Sequence, residues 1–253
     1  CGWLMVKKTT FSEEPLVDGS GKKSRPIRFW YVFKLMRRWS LRVFLALAVA
    51  FASWGLAYRW LNPPITLYMM QESWRLGGIQ YEWVNIENVA PVLVRALVAA
   101  EDANYCAHWG IDSAAVRQAL RDGAMRGGST ISQQTVKNAF LWQDRSWLRK
   151  AIEALMTPYV EAVWSKRRLL EIYVNVAEFD TGVFGIQAAA RHHFGINAAE
   201  LNRVQAGRLA VVLPDPKGRS AIKPISPLRK QAASVIAGSD MIRIDGRAAC
   251  FED

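Results

Sequence analysis

Residues Val43–Tyr58 (VFLALAVAFASWGLAY) form an uncharged apolar run in a chain of 253 residues. No water-exposed helix tolerates such a run. At ~1.5 Å per residue it covers about 24 Å, short of a ~30 Å hydrocarbon core. Extending it from Trp39 to Leu61 closes the gap, with Arg42 and Arg59 snorkelling and Trp39 and Trp60 at the interfaces. Pro63-Pro64 stops the helix. The spacing thus predicts a transmembrane helix over 39–61. The net charge is +11, and residues 1–42 hold ten Lys/Arg against three acids, or +7; the rest has 23 basic and 19 acidic residues, or +4. A nucleic-acid binder concentrates charge on its folded domain. Here it precedes an apolar segment, which predicts a basic cytoplasmic leader over 1–38 and an extracytoplasmic domain over 62–253. Ala50-Phe51-Ala52 offers a signal-peptidase-like site, but the leader is too long for a simple signal peptide, so the helix is read as an uncleaved anchor.

The remainder reads as mainly α. Pro91 opens a helix toward Glu101. Asp112 caps Ser113–Met125, stopped by Gly127-Gly128. Thr130 with Gln133 makes a capping box. A long helix covers Trp147–Trp164 with Pro158 inside it, and Ser165 caps Lys166–Val176. Gly185–Phe194 ends at Gly195, Asn197 with Glu200 starts a helix that ends before Pro214, and Pro227–Met241 closes the series. Residues 65–83 suggest a short hairpin or loop. The three cysteines, Cys1, Cys106 and Cys250, fit no metal spacing. Cys106–Cys250 is the only pair within the main domain, and no structural disulfide is expected of it. His192 and His193 are adjacent, a poor arrangement for joint metal ligation, and read as structural or surface residues; no metal site is assigned.

Four stretches carry polar residues that a helical core does not need. The first, Glu101-Asp102 through Tyr105 to His108-Trp-Gly110, sets two acids at an apolar helix end, where burial can raise a carboxyl pKa. The second is Gly127-Gly128-Ser129-Thr130-Ile-Ser-Gln133-Gln134-Thr-Val-Lys137-Asn138. It runs glycines into a helix start of hydroxyls and amides, with Lys137 one turn beyond Gln133; such a terminus suits anions and sugars. The third holds Arg145, Arg149, Lys150 and Glu153, and the fourth Lys166, Glu171, Tyr173 and Asn175. Singly, these could be helix ends, loops and surface salt bridges.

In this order and spacing they resemble the four consecutive motifs of the peptidoglycan glycosyltransferase family, over about residues 85–235. The short anchor and single domain are similar to its monofunctional biosynthetic members. Ser20-Gly-Lys-Lys23 has a penicillin-binding spacing but lies in the leader, and no Lys-Thr-Gly is present. The resemblance implies a lysozyme-like domain with a smaller, apolar, membrane-proximal lobe, single-pass in the cytoplasmic (inner) membrane. It implies polymerisation of lipid II into glycan strands by inverting transfer, with undecaprenyl diphosphate leaving. Glu101 would be the general base and Glu153 the second catalytic acid. Lys137 and Arg145 would hold the diphosphate. Asp102, Ser129, Thr130, Gln133, Gln134, Asn138, Arg149 and Lys150 would line the substrate cleft. His108, Gly110, Gly127, Gly128, Glu171, Tyr173 and Asn175 would be structural. No cofactor is required, although Mg²⁺ or Mn²⁺ can assist at the diphosphate. The expected partners are lipid II, the growing glycan strand, membrane lipid and wall-synthesis or division proteins, with no nucleic acid. Tyr105 stands where Phe is usual, and His193 where an aromatic is common. The rival readings are a lytic transglycosylase or lysozyme-like hydrolase, and an inactive membrane scaffold.

Overall fold

The computed structural model describes residues 29–121, 123, 128–144 and 146–252. Helix α1, Phe29–Ala57, is continuous and starts within the stretch assigned to the leader. Its apolar part, Tyr31–Ala57, has a mean hydropathy of 1.7 over its best window. At ~1.5 Å per residue those residues reach about 40 Å, enough to cross a bilayer. Tyr31, Phe33, Leu45 and Leu47 leave their side chains exposed, a poor arrangement in water and a natural one in lipid. Residues 1–28 of the basic leader lie outside the described residues.

The chain forms two compact units that part between Ala52 and Ser53, not at Asn62. The end of the apolar run is core material of the larger unit. Trp164 Nε1 donates to the Gly55 carbonyl at 2.8 Å. Trp54 and Tyr58 pack on Phe140 with ring centroids 5.2 and 5.4 Å apart. Arg168 donates to the Tyr58 and Leu61 carbonyls at 3.0 and 2.8 Å and to Asn62 Oδ1 at 2.9 Å.

Residues 65–83 do not form a hairpin. Thr66 caps helix α2, Leu67–Leu76, by accepting from the Met69 N–H, and Gly77 closes it in the left-handed region. The short strand β1, Gln80–Tyr81, follows. Its partner is distant in sequence: β1 pairs in parallel with β3, Val183–Phe184, which pairs antiparallel with β2, Glu178–Asp180, giving the order β1-β3-β2. A local pattern cannot announce a pairing that closes over a hundred residues.

Most predicted helices form where their caps place them. Helix α3 spans Pro91–Glu101, with Pro91 in its first turn. Asp112 Oδ1 accepts from the Ala114 and Ala115 N–H groups and opens α4, described over Ser113–Arg121; the predicted extension to Met125 lies largely outside the described residues. The Thr130–Gln133 capping box opens α5, Ile131–Phe140. Ser146 caps α6, Trp147–Val163, which contains Pro158, and Ser165 caps α7, Lys166–Val176. Helix α8, Ile186–Phe194, ends at left-handed Gly195. The Asn197–Glu200 box opens only a 3₁₀ turn, contrary to expectation; Asn202 then caps α9, Arg203–Val212. Two capping signals five residues apart divide one predicted helix into a turn and a helix. Helices α10, Ser226–Ile244, and α11, Ala249–Glu252, end the chain. Helices α3, α9 and α10 pack together, and α5 packs on α6 and α7. Leu93, Leu97, Leu169, Leu170, Tyr173 and Leu209 are fully buried between them.

The disulfide that the sequence reading did not expect does form. Cys106 joins Cys250, with Cα atoms 5.7 Å apart and a sequence separation of 144. Two further contacts tie the C-terminus to the loop after Glu101, and a third ties it to α7. Arg247 Nη1 donates to the Ala103 carbonyl at 3.0 Å, Phe251 packs against Tyr105, and Arg167 holds the Phe251 carbonyl at 3.0 Å. Pairing was illegible because it depends on α10 returning beside α3. Closing so long a loop should stabilise the fold by roughly 2–4 kcal/mol. Replacing both cysteines by serine should therefore lower the unfolding midpoint, and reductant should lower that of the parent protein but not of the variant.

Candidate active site

Glu101 is the last residue of α3, partly buried against apolar helix. Its Oε2 accepts from Gln134 Nε2 at 2.7 Å. The amide of Gln134 is oriented from behind: the fully buried Tyr173 hydroxyl reaches Gln134 Oε1 at 3.4 Å, which turns the NH₂ group toward Glu101. Burial raises the Tyr173 pKa well above that of a free phenol, so it remains a donor. Burial also raises the Glu101 carboxyl above its ordinary value, against the opposing pulls of Gln134, Lys137 and Arg219.

Asp102 takes the opposite part. It is buried; Oδ1 lies 2.8 Å from His108 Nε2, and Oδ2 accepts from the Ile131 N–H at 3.0 Å. Expected to line the cleft, it is engaged at both oxygens by protein. Ile131 opens α5, whose unpaired N–H groups favour an anion. Asp102 therefore locks the end of α3 to the start of α5, and α5 carries Gln134, Lys137 and Asn138. His108 holds the loop through Asp102. The loop closes at Gly110, whose φ of +81° and 2.7 Å approach to Thr157 Cγ2 by any added Cβ leave room only for glycine. The Gly110 carbonyl accepts from Thr130 Oγ1 at 2.5 Å, and Gln133 Oε1 accepts from the Thr130 N–H at 3.1 Å. Thr130 and Gln133 are both buried, making the capping box.

Lys137 lies one turn beyond Gln133. Burial lowers its pKa, while Glu153 and Glu101 both pull it back up. Its ammonium thus sits in the field of both acids, yet among the described residues no carboxylate is within ion-pair distance of it. Glu153, on α6, is buried. Arg149 Nη1 donates to its Oε2 at 2.9 Å and Lys150 Nζ to its Oε1; Lys150 also reaches Ser129 Oγ at 3.4 Å. Asn138 accepts from Gln143 Nε2 at 2.9 Å. A Cβ at Gly128 would meet Val116 at an ordinary 3.7 Å, so steric exclusion does not require glycine there. Gly127 and Arg145 lie outside the described residues.

The fourth stretch supports the others from beneath. Asn175 exchanges hydrogen bonds with the Val84 N–H and carbonyl at 2.9 and 2.8 Å, and Glu171 accepts from the Ile86 N–H at 3.3 Å. Sequence reasoning missed one group, Arg219, and named Lys166 in the fourth stretch without giving it a role. Arg219, in a Pro-flanked stretch with no periodicity, acts electrostatically on Glu101 and donates to the Val211 carbonyl at 2.6 Å. Lys166 pairs with buried Glu161 at 2.8 Å, donates to the His108 carbonyl at 2.8 Å and lies 4.4 Å from the Tyr105 ring centroid. Glu161 also accepts from Ser132 Oγ.

A carboxylate biased toward holding a proton, next to a desolvated ammonium, suits transfer of a hydroxyl proton beside a departing anion. The transglycosylase family model matches residues 71–239, and the chain belongs to that family. It is 56% identical over 216 residues to a biosynthetic peptidoglycan transglycosylase of Jannaschia sp., covering 85% of this chain and 90% of that one. Enzymes of the same name from Rhodospirillum centenum and Caulobacter vibrioides are 44% and 38% identical over 226 and 224 residues, each alignment covering 87% of this chain and 97% and 98% of theirs.

The raised pKa fixes the sign of a pH effect. The native state holds the Glu101 proton more tightly than the unfolded chain, so this group's contribution to stability falls as pH rises from 4.5 through its folded pKa. Glu101→Gln removes that loss. The variant should be at least as stable as the parent at neutral pH, with a flatter stability profile above pH 4.5 in chemical unfolding. Gln134→Ala removes a donor to the carboxylate and should move the acid limb of the rate profile to higher pH.

Proposed function

We propose that this chain polymerises peptidoglycan glycan strands from lipid II at the outer face of the cytoplasmic membrane. The observation that carries the reading is the meeting of Glu101, at the end of α3, with Gln134 and Lys137 of α5, set within the four family motifs. Glu101 takes the proton of the acceptor 4-hydroxyl. The acceptor oxygen forms a bond to the donor anomeric carbon as the bond from that carbon to the diphosphate oxygen breaks. Undecaprenyl diphosphate leaves with the electron pair, and configuration inverts. Lys137, with Arg145 on the family pattern, meets the negative charge that grows on the leaving group. Arg149 and Lys150 hold Glu153 and add positive charge on the same side; Ser129 and Asn138 shape the cleft, while Thr130 and Gln133, expected to line it, are buried in the capping box and hold the start of α5.

Mg²⁺ or Mn²⁺ assistance fits this site poorly at Glu153. Both of its oxygens are held by cationic side chains, so no step is assigned to a metal there. Exposed Trp60, Leu61, Ile65 and Trp74 suit an apolar surface that rests on lipid, the phase that holds the substrate's tail. Wall-synthesis or division proteins are proposed partners on the ground of the reaction alone.

Purified enzyme given labelled lipid II should form polymer, and Glu101→Gln should reduce turnover by about 10²–10⁴-fold. Lys137→Met should cost on the order of 10²–10³-fold. Shortening of preformed glycan without polymer would favour the hydrolase, and equal turnover in Glu101→Gln would remove Glu101 as base. Absence of both activities in the parent protein would favour the scaffold. Topology is tested separately: a phosphatase reporter fused after Asp253 should be active outside the cytoplasm, and a cytoplasmic signal would overturn the assignment of side.

A further inference from the structure

Asp180, His192 and His193 form a cluster that the transfer reaction does not use. Asp180 ends β2, and the two histidines lie in the last turn of α8. Adjacent helical residues point about 100° apart, which is why the pair reads poorly as joint ligands. The fold overcomes this by presenting Asp180 between them. The Thr181 N–H donates to Asp180 Oδ1 at 2.7 Å, fixing the carboxylate. Oδ2 then faces His193 Nε2 at 3.7 Å and His192 Nε2 at 3.9 Å. The rings stand perpendicular with centroids 4.9 Å apart, and one ligand atom from each of the three residues lies within 4.8 Å of the others.

These separations are too long for hydrogen bonds. The two carboxylate–imidazole separations match the spacing of ligands across a shared ion: donors about 2.0–2.2 Å from Zn²⁺ stand roughly 3–4 Å apart. The independent sign is His193. Its side chain is 2% exposed, and among the described residues neither ring nitrogen has a partner in hydrogen-bond geometry, although the Phe179 backbone lies close by. A buried imidazole without partners is costly, and an ion at Nε2 removes half of that deficit. Asp180 and His192 remain partly exposed, which leaves an entry path and an open position for water.

We propose that Asp180, His192 and His193 bind one divalent transition-metal ion, Zn²⁺ by preference, as a structural site. Two imidazoles and one carboxylate suit Zn²⁺ and disfavour Mg²⁺ or Ca²⁺. The ion would staple α8 to the β2–β3 turn. That turn also anchors β1, because the Gln80 N–H donates to the Gly182 carbonyl at 2.8 Å.

The test uses the full chain in detergent, without an affinity tag, stripped with chelator and titrated with ZnCl₂ by calorimetry. The expected result is one Zn²⁺ per chain with a rise in unfolding temperature, and visible d–d absorption when Co²⁺ replaces Zn²⁺. Loss of a group that merely supports a ligand lowers metal affinity about 10–100-fold, so His192→Ala and Asp180→Asn should each weaken binding by at least about tenfold. Both positions are partly exposed, and circular dichroism with lipid II turnover verifies that the variants fold. Absence of binding in the parent, or an affinity equal to the parent's in either variant, would overturn the site.

Discussion

The Asp102 carboxylate joins the two helices on which the chemistry is divided. One oxygen meets the first N–H of α5 and the other meets His108. Without this link the Glu101 carboxyl at the end of α3 and the amide and ammonium of α5 would have no common frame. A carboxylate at a helix N-terminus is favourable in itself, so the bond that aligns the site also stabilises the fold. The surrounding polar groups keep the junction rigid: Thr130 binds the Gly110 carbonyl, and Lys166 binds the His108 carbonyl. Neighbouring acids thus diverge in role. Asp102 is satisfied by protein, whereas Glu101 is desolvated and, among the described residues, has one side-chain donor.

That desolvation is what equips Glu101 for the proposed role of base. Burial biases Glu101 toward its neutral form and Lys137 toward its neutral form as well. Each opposes the other's shift by its own charge. A diphosphate entering beside Lys137 would favour the ammonium, and loss of the diphosphate would release it, so the local field changes with the stage of the reaction. Tyr173 fixes the intervening amide, and no charge need be buried to do so.

Local signals proved legible in the sequence. Thr130 with Gln133, Ser165, Asp112 and Gly195 act within one helical turn, and each sits where its chemistry predicts. The order of the four motifs likewise named the family that the relatives show. Signals that depend on distant chain were not legible. The β1–β3 pairing, the Cys106–Cys250 bond and the approach of Arg219 to Glu101 all arise from packing across a hundred residues or more. Asn197 was misread for another reason: two valid caps stood close together, and the second one began the helix. Asp102 could not be distinguished from a cleft residue because motif spacing reports position in the chain, not the direction of a side chain.

The larger unit begins at Ser53, within the apolar run, and this bears on how the enzyme can be cut. Trp54 and Tyr58 cover Phe140, and the Gly55 carbonyl satisfies the indole of Trp164. A soluble fragment started at Asn62, where hydropathy alone suggests the boundary, would strip this cover from the last turn of α5 and orphan a buried donor. The excisable catalytic piece therefore carries the final turn of the apolar helix with it, and the helix cannot be exchanged as a generic anchor beyond Ala52.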